Sequence, residues 1–202
     1  MPQFISLLRK PRQGSRQTQR IPPHRTLRYR GTGATVEHMT ELAVGDRGGR
    51  SLELRLALED LVRHLNPRDQ LSQMAAVYYW FDRHWHFLKD PVKVELVRDP
   101  VRFLEDIRTH GRVVGDCDDA TTFITGSGQA IGIKTVIVRV GFETGSPQGR
   151  FTHVLPVGYD QFGRSVVLDP VAGPRTQKML ARITQLAQRK VGDRCGRIHS
   201  TE

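Results

Sequence analysis

The sequence predicts an α+β fold, with helices in the first half of the chain and a small, mostly antiparallel sheet in the second. Three observations carry this expectation. Between residues 52 and 110 apolar side chains recur at helical spacing. Between 134 and 169 β-branched residues run in short blocks divided by turn residues. The two patterns are segregated, whereas a parallel βαβ fold would alternate them.

Residues 1–50 read as a basic extended arm or linker without a core of its own. Turn chemistry dominates it (KPRQGS, IPPHR, RGTG, GDRGG), with one short strand expected at TLRYRGTG. Arg9, Lys10, Arg12, Arg16, Arg20, Arg25, Arg28 and Arg30 precede the first acid, Glu37, so residues 1–36 carry +8 of the chain's +10. Only +2 remains for everything after it, and the pI of 10.3 therefore describes the arm more than the domain.

Residues 51–175 are expected to form the domain. Leu54, Leu58, Leu61, Val62 and Leu65 share one face of a helix over 52–65, which NPRD ends. Asn66 or Asp69 can cap a second helix, about 69–86, with Met74, Val77, Tyr78, Phe81 and Trp85 on its apolar side. DPVRFLEDIRTH predicts a third, with Pro100 in its first turn. A fourth should run from about 117 to 131 and stop near Gly132. KTVIVRVGF, FTHVLPVGYD and RSVVLDP then read as strands, the last two joined by the turn DQFG. Residues 176–202 are expected to be a helix over 176–190 followed by a polar tail.

Composition excludes several classes. A chain of 202 residues with 38% hydrophobic residues has room for one ordinary domain with extensions. No apolar run approaches the roughly 20 residues that span a bilayer. The opening MPQFISLL is too short for a signal peptide, although the Arg-rich, acid-free start resembles a transit peptide. Two cysteines, Cys117 and Cys195, make no disulfide framework.

Three residues stand where thiol chemistry needs them. Cys117 opens a helix, His153 lies inside a strand, and Asp169 ends the next one, at separations of 36 and 16 residues. Adjacent antiparallel strands would set His153 beside Asp169, and a helix tip facing them would present Cys117 to the imidazole. A nucleophile needs a base beside it and a third group to orient that base. The helix N-terminus and an imidazolium both favour thiolate. Asp116 is well placed as the helix cap, and Asp118 and Asp119 are expected to point away from the sulfur.

GDCDD with its helix, then AIGIKTVIVRVG, THV and VVLDP, resembles the transglutaminase-like cysteine peptidase superfamily. The stretch FLKDPVKVELVRDPVRFLEDIRTHGRVVGDCDD is similar to versions found in bacteriophages and prophages. The resemblance covers about residues 68–175. It implies a papain/transglutaminase-like core with N-terminal helices packed on the sheet. It also implies Cys117 as nucleophile, His153 as base and Asp169 as the group that orients it, in an amide hydrolase or acyl transferase working through a thioester. Many members have His-Ala-Trp and a Trp before the aspartate. Here Val154 follows the histidine and Val167-Leu168 precede the aspartate, at positions that shape substrate access.

No cofactor motif is present, and no metal site is expected. His84 and His86 are two apart on a predicted helix end and face different ways. The phage resemblance suggests a second reading: a virion structural protein, at a head–tail or tail interface, attached to assembly partners through residues 1–36. On that reading the protein resides in the virion, or in the host bacterial cytoplasm before assembly. The enzyme reading takes a peptide or cell-wall substrate. Nucleic-acid binding by the arm ranks third, because the arm has few aromatics for stacking on bases.

Overall fold

The structure, a computed structural model, describes residues 27–28, 32–91, 94–142, 151–171 and 183–190. In chain order the elements are β1 (Leu27–Arg28), α1 (Thr32–Val44), α2 (Leu52–Val62), α3 (Gln70–His84) and β2 (Trp85–Phe87). Then come β3 (Val94–Glu95), α4 (Pro100–His110), β4 (Val113–Gly115) and α5 (Cys117–Ala130). The chain closes with β5 (Lys134–Phe142), β6 (Phe151–Tyr159), β7 (Ser165–Val167) and β8 (Ile183–Lys190). The fold is α+β, as the segregated patterns predict.

Helix starts follow side chains that satisfy free N–H groups. Ser51 Oγ accepts from Leu54 N–H, Asp69 from Ser72 and Asp99 from Arg102. Helix α4 ends at Gly111, whose φ of 74° suits glycine. The helices meet around an aromatic stack. Phe81 of α3 and Phe123 of α5 lie 4.7 Å apart between ring centroids, and Phe103 of α4 sits 5.8 Å from Phe123. Leu54, Leu58, Met74 and Ile107 close the cluster around them. Gly128 lets α5 approach β5, since a Cβ there would run into the Thr135 side chain.

The main sheet has the order β7-β6-β5-β8, all antiparallel. The β5–β6 register pairs Val140 with His153, Val138 with Leu155 and Val136 with Val157, so these share one face. Ile137, Val154 and Pro156 occupy the other face, and Ile137 and Val154 pack there with α1 residues Val36, Met39 and Ala43. Two smaller sheets flank it: β1 with β3, antiparallel, and β2 with β4, parallel.

Three expectations need correction. Residues 32–44 are a helix that belongs to the core, with Val36, Met39 and Ala43 fully buried, whereas the sequence reading left them in an extended arm. Only three turns long and flanked by glycine, α1 is stabilised by packing and not by its own propensity. Residues 183–190 form β8 where a helix was expected. The alternation of ITQLAQRK fits either state locally, and the free edge of β5 decides for strand. His86 lies on β2 beyond the end of α3, so the expected helix stops two residues earlier than 86. Apart from Leu27–Arg28, the basic arm to residue 31 lies outside the described residues, as does Cys195.

Candidate active site

The loop between β4 and α5 is built by close approach. A Cβ at Gly115 would sit 2.5 Å from Asp119 Oδ2 and 2.8 Å from an Arg98 guanidinium nitrogen. Only glycine admits both groups. Arg98 is the hub: it donates to Asp119 Oδ2 at 2.8 Å and to the Val114 carbonyl, and its guanidinium lies 4.2 Å from the Phe103 ring centroid. Asp119 Oδ1 also accepts the Arg98 backbone N–H at 2.9 Å. Burial pushes the Asp119 carboxyl up to about 6 against the pull of Arg98, so it is charged at neutral pH.

Asp116 caps α5 by accepting the Asp118 N–H at 3.0 Å. Its carboxyl is raised above the ordinary range, chiefly by burial. Asp118 turns toward the sulfur: Cys117 Sγ donates to Asp118 Oδ1 at 3.5 Å. Burial, then the charge on Asp116, then a hydrogen bond with Glu95 of β3 push Asp118 up to about 8.

The thiol itself is held neutral. Burial is the largest cause, followed by the charges of Asp118 and Asp116, while a hydrogen bond from the Val154 N–H pulls the other way. This corrects the expectation that the three aspartates need not oppose the thiolate. Asp119 turns to Arg98 and Asp116 to the helix N–H groups, but Asp118 does not turn away. Partial charge at a helix tip does not outweigh desolvation and two nearby carboxyls.

On the strands, His153 Nε2 lies 2.7 Å from Asp169 Oδ2, with both side chains buried. Asp169 Oδ1 accepts the Val171 N–H at 2.9 Å, and the Tyr78 hydroxyl reaches the Asp169 carbonyl at 3.4 Å. One carboxylate oxygen is therefore held by a main-chain N–H while the other meets the imidazole, and Tyr78 holds the main chain of the same residue. Cys117 packs with the cluster that includes Val154, the residue after His153. The sulfur's side-chain hydrogen bond runs to Asp118 and not to the imidazole.

Thr121, one turn after Cys117, donates to the Val154 carbonyl at 3.2 Å. Sequence reading missed Thr121, Arg98, Glu95 and Tyr78. Arg98, in RDP before α4, offered a signal as a basic residue close to an acid-rich helix start; the others offered none. Asp116, Cys117 and Asp118 bring three donor atoms within 4.8 Å of one another, yet each is already engaged as described. His84 bonds the Trp80 carbonyl at 2.6 Å, while His86 is exposed on β2.

No family model and no curated protein matches the sequence. Among solved structures, the chain is similar to a candidate cysteine protease from Cytophaga hutchinsonii, with a TM-score of 0.50 and 13% identity. That likeness covers 77% of this chain and 48% of the other. The periplasmic domain of TgpA from Pseudomonas aeruginosa, at 19% identity, has a TM-score of 0.44 over 75% of this chain and 52% of that one. Its ethylmercury-bound form, at 16% identity, has the same score over 73% and 52%. The chain thus spans about half the length of the structures it matches. The first likeness is one of fold alone: an α+β core of helices on a sheet shared with that structure.

Proposed function

We propose that the protein is a cysteine amide hydrolase or acyl transferase of the transglutaminase-like kind. One observation carries this reading: a His153–Asp169 pair at 2.7 Å stands on the strand whose next residue, Val154, belongs to the cluster against which the helix-tip Cys117 packs. Asp169 takes Nε2, leaving Nδ1 of the imidazole to receive a proton.

The resting thiol is neutral, so the proton leaves as attack occurs and not beforehand. Cys117 Sγ forms a bond to the substrate carbonyl carbon while its proton passes to His153. The backbone N–H of Cys117 at the α5 tip serves the developing oxyanion. The C–N bond then breaks and His153 returns the proton to the leaving amine, leaving a thioester on Cys117. Water or a second amine attacks the thioester with His153 again as base, which separates hydrolase from transferase by acceptor alone.

An activated ester tests this without knowledge of the natural substrate. Exposed to p-nitrophenyl acetate, the intact chain should gain one acetyl group on Cys117, read by peptide mass. His153→Ala should slow this acylation about 100-fold or more. Cys117→Ala should abolish it with the fold retained. Acylation of Cys117 at equal rates with and without His153 overturns the reading.

A further inference from the structure

The start of α5 meets β6 at an edge that β7 does not reach. Strand β7 pairs with Val157 to Tyr159, and the Leu168 N–H extends that pairing to the Pro156 carbonyl at 3.0 Å. Along a strand, main-chain groups two residues apart point to the same edge. Val154 therefore presents its N–H and C=O on the side where β7 has ended. Helix α5 meets them through Thr121, whose Oγ1 donates to the C=O, while Cys117, four residues earlier on the same helix face, packs with the cluster that includes Val154.

Thr121 differs from its neighbour in a telling way. A threonine inside a helix ordinarily returns its hydroxyl to the carbonyl four residues back. Thr122 does so, to Asp118 at 2.7 Å. Thr121, almost fully buried, instead bonds across to the sheet.

We propose that Thr121 is a positioning residue: by gripping the peptide next to His153, it sets the distance and angle between the Cys117 sulfur and the imidazole. This rests on the catalytic reading above. Thr121 touches no reacting atom and acts through Val154. The Val154 carbonyl anchors the strand to α5, one residue from His153 and four residues along the helix from Cys117. A sideways slip of β6 along α5 would move base and nucleophile apart while leaving each correctly folded.

Three chains test it: wild type, Thr121→Val and Thr121→Ser, each acylated with p-nitrophenyl acetate over a range of pH. Val keeps the shape and removes the donor; Ser keeps the donor. Thr121→Val should lose about 10–100-fold in the His153-dependent acylation rate and show an altered pH profile, with faster exchange of the Val154 amide. Thr121→Ser should recover most of the rate. A Thr121→Val chain that melts earlier but keeps the wild-type rate and pH profile overturns the proposal and makes the bond purely structural. A wild-type chain whose acylation does not depend on His153 overturns the catalytic reading as well.

Discussion

Asp118 accepts a hydrogen bond from the neighbouring Cys117, Sγ to Oδ1 at 3.5 Å, so the residue after the nucleophile restrains it. A carboxyl in contact with a thiol opposes thiolate formation, and here it adds to burial. Asp118→Asn removes the charge and keeps the size. Its Cys117 should titrate about one unit lower and react with iodoacetamide about 10-fold faster at pH 8 than in wild type. Peptide mass after timed labelling gives the rate. An unchanged or slower rate would show that Asp118 does not restrain the thiol.

The same carboxyl should imprint a slope on stability against pH. Asp118 stands at about 8 when folded, far above the roughly 4 of an unfolded aspartate. Between those values the folded chain keeps a proton that the unfolded chain has released, so stability falls as pH rises through the window. Asp90 and Asp119, both at about 6, share its lower part, which leaves pH 6 to 8 to Asp118. Urea midpoints should decline over pH 6 to 8 in wild type and stay flatter in Asp118→Asn. Parallel slopes in the two chains would remove Asp118 as the cause.

Gly115→Ala should destabilise the fold by about 2–4 kcal/mol, because the new methyl displaces either Asp119 or Arg98 from a buried ion pair. Thermal melting measures this. Left-handed backbone is not the reason, since Gly115 is not among the glycines with positive φ. A melting temperature within a degree of wild type would mean the loop relaxes freely.

Breaking the Arg98–Asp119 pair from one side should cost more than removing it whole. Arg98→Met leaves Asp119 buried without its cation, at a cost of about 3–5 kcal/mol. The double variant Arg98→Met, Asp119→Leu should recover a large part of that loss. Additive losses in the double variant would show that the two side chains do not depend on each other.

Legibility divides along a physical line. Periodicity showed α2 through α5, and Asp69 and Asp116 cap where the sequence places them. His153 and Asp169 could be set side by side because antiparallel pairing of neighbouring strands is a local rule. Helix α1 and strand β8 were misread because each depends on distant partners: α1 on the Ile137 and Val154 face, β8 on the edge of β5. The environment of Cys117 was misjudged for a related reason. Which of three consecutive aspartates faces the sulfur is decided by Arg98 and Glu95, both distant in sequence from the motif.

The meeting of α5 with β6 also bears on how the chain behaves among its own copies. A strand edge with unsatisfied main-chain groups is a template for another strand, and proteins cover such edges to remain apart. Along β6, β7 covers Val157 to Tyr159, Leu168 covers Pro156, and the first turns of α5 cover Val154. The helix that carries the sulfur is thus also a plug on the sheet. Loosening its tip uncovers a β-branched strand, so damage here reads out as self-association alongside lost reactivity.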